Sequence, residues 1–181
     1  PKGHDTVAYI AEQHLSKRSL KRIQKALGGH SMVYVANWMD NASHGDEYAY
    51  TKTWHYVNVD PSEVDYASSA KEAKGDVVSA VNTIVERLKS GELSEVGERA
   101  ELMMLIHLIG DMHCPMHAGY KRDRGGNGTQ VKYFGKSKNL HSVWDSEIVE
   151  SAHRWSYSEW QDNIDRANRK EQKRLSQGTP N

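Results

Sequence analysis

Between Ala100 and Asp111 the chain is apolar on every side of a helix, with Leu102, Met103, Met104, Leu105, Ile106, Leu108 and Ile109 leaving no polar face. Such a helix is stable only when other elements cover it all round, so it is expected at the centre of the molecule. Two residues break the pattern. His107 and Asp111 stand four apart, a spacing that sets two side chains on one helix face with Cβ atoms about 5–6 Å apart. A buried imidazole without a partner costs roughly 1–3 kcal/mol, and a buried, unpaired carboxylate far more. A hydrogen-bonded core pair meets that demand. A divalent cation meets it too, with a neutral nitrogen from the imidazole and compensating charge from the carboxylate. Pro115 should end the helix, because the residue before a proline is pushed out of the α region.

The same spacing returns in His141 and Asp145, and His117 lies six residues beyond Asp111. His4, Asp40 and His55 sit in upstream segments that could supply further ligands. Two such pairs argue for one shared metal cluster, and no other part of the chain offers a comparable site. Imidazole and carboxylate donors without a thiolate set favour zinc over copper or iron–sulfur centres and exclude an all-oxygen calcium loop. His14, His30, His44 and His153 read as exposed or locally paired, and His113 is only a slightly better candidate. Gly125-Gly126-Asn127-Gly128 follows no strand–helix signature and reads as a flexible loop rather than a phosphate nest.

Around the central helix the periodicity predicts more helices. His4 to Leu15 is amphipathic. Ser16 is a cap for a helix with Leu20, Ile23 and Leu27 inward, stopped by Gly28-Gly29. Ser31 opens a run to Asp40 read as one helix. Thr51 to Asp60 reads as extended or irregular, ending at Pro61. Val77, Val81, Ile84, Val85 and Leu88 form a helical stripe closed by Gly91. A loop-rich insert from Gly119 to Asn139 includes a short hairpin arm at Val131 to Phe134. Helix resumes near Leu140, then gives way to a Trp155–Trp160 patch and a polar final helix, with Ser176 to Asn181 expected to be disordered.

At 181 residues one domain with a sizeable core is expected. With 24 basic and 24 acidic side chains there is no bulk charge that announces a nucleic-acid or acidic partner. The basic stretch from Arg166 to Arg174 reads as a solvated helix face. Cys114 is the only cysteine, so no intrachain disulfide is possible, and its sulfur reads as buried and inert. No apolar run approaches the roughly 20 residues that span a bilayer. No signal peptide is present, and Pro1 rather than Met opens the chain, so it is expected to be processed or a fragment.

Five segments, in order, resemble the zinc-dependent, single-strand-specific type I nucleases, also called 3′-nucleotidases, which are relatives of zinc phospholipase C. They are Gly3-His4-Asp5-Thr6-Val7-Ala8-Tyr9-Ile10-Ala11-Glu12, Ala36-Asn37-Trp38-Met39-Asp40, Trp54-His55-Tyr56, His107-Leu108-Ile109-Gly110-Asp111-Met112-His113-Cys114-Pro115-Met116-His117 and His141-Ser142-Val143-Trp144-Asp145. The resemblance implies an all-α fold, a mostly helical single domain over 1–181 with one small β-hairpin or extended insert, and three zinc ions in a cleft. Asp40, His55, His107 and Asp111 would hold the first ion, and His117, His141 and Asp145 the second. His4 and Asp111 would hold part of the third, so that Asp111 bridges two ions. Tyr56 matches a position that stacks on the nucleobase.

Three departures stand out. Family members begin with a Trp two residues before the position of Pro1, which completes the third zinc site. Asn58 stands where fungal members have an Asp near the attacking water. Family chains are longer, with further helices after Trp160, and often carry disulfides.

The resemblance implies hydrolysis of the 3′ O–P bond in single-stranded RNA and DNA and in 3′-nucleotides, leaving 5′-phosphorylated products from polymer. Asp40, Asp111, Asp145 and Asn58 would be the catalytic side chains, and Tyr56 and Asn58 the substrate contacts. It further implies a monomer, periplasmic or extracellular, without stable membrane association. Two alternatives remain open at this point: a zinc phospholipase C-like phosphodiesterase, and a non-enzymatic helical binding protein stabilised by zinc.

Overall fold

The computed structural model describes residues 1–59, 62 and 65–177; the expectations for Asp60, Pro61 and the final residues 178–181 lie outside them. Helix α1 (Lys2–His14) is followed by α2 (Lys17–Ala26), whose cap Ser16 accepts the Ser19 N–H as expected. Gly28 and Gly29 then reverse the chain with φ of 70° and 90°. Ser31 caps α3 (Met32–Val35). The run from Ser31 to Asp40, expected as one helix, is two: α3 and α4 (Trp38–Ala42) are separated at Ala36 and Asn37. Tertiary bonds from α1 explain the break. The Asn37 amide donates to Asp5 at 2.6 Å, and Glu12 accepts the Met32 N–H at 2.7 Å.

A 3-10 turn (Asp46–Thr51) leads to the irregular segment that carries His55, Tyr56 and Asn58. Helix α5 (Val77–Ser90) starts in a capping box of Asp76 and Ser79 and stops at Gly91, whose φ is 69°. The central helix, α6 (Glu95–Asp111), begins earlier than its apolar stretch, with Ser94 as its cap. Its Ile106 packs with Ala8, Leu27, Met32, Val35 and Ala36. Met104 and Leu108 pack with Met39, Val77, Ala80 and Ile84 on the other side. Two separate clusters against one helix explain why its sequence has no polar face. Leu27, Met39, Ile84 and Leu108 are fully buried, and each contributes roughly 1.5–3 kcal/mol.

Pro115 begins a 3-10 turn (Pro115–Ala118) just past α6. Strands β1 (Gln130–Tyr133) and β2 (Lys136–Asn139) form the expected hairpin, antiparallel, with Gln130 opposite Asn139. The helical stretch from Leu140 is not uniform. A short α7 (Leu140–Ser142) widens into a π turn (Val143–Glu147) before α8 (Ile148–Ser151). Helix α9 (Tyr157–Ile164) packs on α1, with Tyr157 edge-on to Tyr9. Helix α10 (Arg169–Leu175) buries no side chain, as a solvated basic face should. No helix among the described residues is long and apolar enough to cross a membrane.

Candidate metal centre

His107 and Asp111 lie at the C-terminal end of α6, with 0% and 1% of their surface exposed. The His107 Nδ1 faces the Ala36 carbonyl at 2.8 Å. A carbonyl can only accept, so Nδ1 carries the proton and Nε2 is left to face the interior. Around Nε2 stand His55 Nδ1 at 3.1 Å, Asp111 Oδ2 at 3.3 Å and Asp40 Oδ1 at 3.4 Å. His55 Nδ1 is also 3.0 Å from Asp111 Oδ2. Helix α4, the segment after the 3-10 turn, and α6 thus meet at one point.

The other oxygen of Asp111 faces a different pair, His4 Nε2 at 3.2 Å and His117 Nδ1 at 3.5 Å. His4 comes from α1, its ring stacked on His107 at 4.2 Å. Gly110 makes that approach possible, because a Cβ there would stand 2.3 Å from His4 Nδ1.

His117 is fixed by the backbone. Its Nδ1 donates to the His55 carbonyl at 2.5 Å, and its own carbonyl accepts the Val57 N–H at 2.7 Å. Val59 continues this edge in a parallel bridge with Tyr120. His117 Nε2 lies 3.4 Å from Asp145 Oδ1. Asp145, which sits in the π turn, thus meets His117 and also feels the charge of His141. The π turn, with its i→i+5 hydrogen bonds, changes the angular step between residues four apart. His141 still joins the group, its ring 4.9 Å from that of His117, and its Nδ1 donates to the Gly125 carbonyl at 2.9 Å. Gly125 has a φ of 59°, and a Cβ there would lie 2.6 Å from the Met116 carbonyl. The glycine run read as a flexible loop therefore orients an imidazole.

Electrostatics follow from this crowding. Burial opposes protonation of His107, yet Asp111 and Asp40 outweigh it and push its pKa up to about 10. Burial also opposes ionisation of Asp111, but His107, His4 and His55 hold its carboxyl well below the usual range. His117 is raised, against its burial, by Asp145 and Asp111. Contact with His117 lowers Asp145 despite burial, and Asp40 is lowered because His107 outweighs its burial.

These donors fit metal ions. Three sets, His4/Asp40/His107, His55/His107/Asp111 and Cys114/His117/Asp145, each keep their donor atoms within 4.8 Å of one another. The buried Nε2 of His117 makes no hydrogen bond, a costly state that a cation relieves. Two such sets and a third, weaker one match a centre of up to three zinc ions. The remaining histidines behave as expected. His14 pairs with Asp165 at 2.8 Å, His30 stacks on Tyr34, His44 meets the Asp40 carbonyl, and His153 stacks on Trp155. His113 Nδ1 bonds to the Ile109 carbonyl.

Beside His141 opens a cleft of about 700 Å³, lined by Tyr56, Asn58, Lys121, Arg124 and Asn139 among others. Both expected substrate contacts thus share a wall with a candidate ligand. The sequence profile described as S1/P1 Nuclease matches residues 1–180. The chain belongs to the S1/P1 nuclease family. It is 32% identical to nuclease S1 of Aspergillus oryzae over 158 residues, which cover 83% of this chain and 54% of that protein. Nuclease P1 of Penicillium citrinum is 33% identical over 156 residues, 80% of this chain and 56% of that protein. Endonuclease 4 of Arabidopsis thaliana is 30% identical over 170 residues, 86% and 57% respectively. The chain spans about half the length of the curated relatives it matches. The segments quoted above bring His4, His55, His107 and His117 around Asp111.

Proposed function

We propose that residues 1–181 form a single zinc-dependent nuclease domain that hydrolyses the 3′ O–P bond of single-stranded RNA and DNA and of 3′-nucleotides, giving 5′-phosphorylated products from polymer. The carrying observation is Asp111, whose two oxygens face different histidine sets, His55/His107 and His4/His117, within 3.5 Å. Asp40, His55, His107 and Asp111 would hold one ion, and His117, His141 and Asp145 a second. His4 with Asp111 would hold part of a third. Bound zinc would supply Lewis-acid charge to the phosphoryl group and lower the pKa of water to about 7.

The chain's own side chains do the rest. Tyr56 offers a ring on the cleft wall for a base to stack on, worth roughly 1–3 kcal/mol and tolerant of base identity. A paired base is not free to enter, which accounts for a single-strand preference. Lys121 and Arg124 bring positive charge to the same cleft, suited to phosphates that flank the scissile bond. Asn58 can orient water through its amide but cannot take a proton from it. That leaves Asp145, kept ionised by His117, as the carboxylate able to accept one. The family resemblance also supports a monomer located in the periplasm or outside the cell.

Parallel assays on single-stranded DNA, duplex DNA, 3′-AMP and phosphatidylcholine test the reading. Cleavage of the single strand and of 3′-AMP, lost to a chelator and restored by zinc, is expected. Preference for phosphatidylcholine would transfer the chain to phospholipase chemistry, and no hydrolysis by zinc-loaded protein would end the proposal.

A further inference from the structure

We infer that Cys114 is a ligand of the His117/Asp145 site, adding a thiolate to donors that are otherwise imidazole and carboxylate. Its sulfur, a His117 nitrogen and an Asp145 oxygen lie within 4.8 Å of one another. Donor atoms around a tetrahedral zinc, with bonds of about 2.0–2.3 Å, stand roughly 3.5 Å apart. His117 Nε2 and Asp145 Oδ1 already have that spacing, at 3.4 Å. His117 is 8% exposed, its Nδ1 is committed to the His55 carbonyl, and its Nε2 makes no hydrogen bond. A buried, unbonded nitrogen aimed at a carboxylate and a sulfur marks the point where a cation would sit.

The backbone holds the sulfur there. α6 has ended, Cys114 is extended with φ −99° and ψ 120°, and Pro115 fixes the turn that follows. The His117 N–H donates to the Cys114 carbonyl at 3.0 Å and closes the turn that carries the sulfur. On ligation the S–H bond breaks, its proton passes to solvent and a sulfur–metal bond forms, with no change of oxidation state. With His141 alongside, this site would hold up to four protein donors of mixed softness. The site around Asp40, His55, His107 and Asp111 would hold nitrogen and oxygen only. Thiolate favours softer cations, so the two sites should differ in metal preference.

The inference rests on the zinc reading above for the site's occupancy, and cobalt(II) separates the two. The 181-residue chain stripped of metal and titrated with cobalt(II) is expected to show visible d–d bands and a thiolate-to-cobalt charge-transfer band in the near ultraviolet. Cys114→Ser and Cys114→Ala should lose the charge-transfer band while keeping d–d bands from the other ions and the far-ultraviolet circular dichroism of the parent. Alkylation of Cys114 by iodoacetamide should slow by about tenfold or more on adding zinc and recover with chelator, because a ligated sulfur is no longer a free nucleophile. Cobalt uptake with d–d bands but no charge-transfer band in the parent protein overturns the thiolate ligand and leaves the metal centre standing. No uptake of cobalt or zinc overturns both. If both variants unfold, the parent's spectrum and alkylation rate still decide.

Discussion

The Ala36 carbonyl accepts the Nδ1 proton of His107 at 2.8 Å, across 71 residues of sequence. That bond leaves only Nε2 to face Asp40, His55 and Asp111. The joint between α3 and α4 is therefore part of the candidate metal centre, although it offers no side chain to it.

Asp111→Ala should reduce zinc content and lower the rate on single-stranded DNA by at least about 100-fold, the scale seen when one group that stabilises a transition state is removed. Asp111→Asn keeps the volume and removes the charge, so it should fold yet bind less zinc. Atomic spectroscopy on both variants checks this. Full metal content and rate in Asp111→Ala would sink the bridging role.

Gly110→Ala places a methyl 2.3 Å from His4 Nδ1. His4 must move, and overpacking of this kind costs about 1–3 kcal/mol. The expected result is a lower melting temperature with zinc loss concentrated at the ion that His4 helps hold. Unchanged stoichiometry and stability would contradict it.

The metal-free and zinc-bound proteins should respond to pH in opposite directions. His107 is pushed up to about 10 from 6.5. Its stabilising contribution to the metal-free fold is full below 6.5 and disappears as pH rises through about 10. Asp111 is depressed, so its contribution is present above the ordinary carboxylate pKa and lost in acid. Zinc needs the same His107 nitrogen without its proton, so affinity should climb across that alkaline window and binding should release protons near neutrality. Calorimetric titrations in two buffers of different ionisation enthalpy count them. A net release of zero would refute the coupling.

On the cleft wall, Tyr56→Ala should raise KM about 5- to 150-fold, the equivalent of roughly 1–3 kcal/mol of stacking, while Tyr56→Phe stays close to the parent. Arg124→Ala and Lys121→Ala should weaken polymer binding more than 3′-AMP binding and flatten its salt dependence. Equal loss on both substrates would remove these side chains from the path of the strand.

Asn58→Asp introduces a carboxylate where the amide now lines the cleft. The rate near neutrality should rise, and a new acidic limb should appear in the pH–rate profile. An unchanged profile would leave proton transfer to Asp145.

His107 and Asp111 were readable from one helix because apolar saturation made two polar side chains conspicuous. Asp40 and His55 were not readable in that way. Nothing local pairs them with His107, so the residues alone offer them as upstream candidates and the family resemblance assigns them to its ion. The carbonyls of Ala36 and Gly125 escaped altogether, since main-chain oxygens are the same in every residue and their direction depends on tertiary packing. The break after Val35 escaped because Asn37 and Glu12 bond across elements, overriding a run that favours helix. The π turn escaped too. Hydrophobic period does not report a local change from i→i+4 to i→i+5 hydrogen bonds.

The reciprocal bonds between His117 and the backbone at His55 and Val57 separate two kinds of change. The attachment uses main-chain atoms, so the side chains at 56 and 58 are free to vary without loosening the imidazole. Such a molecule can exchange the side chains that line its cleft while the imidazole keeps its place.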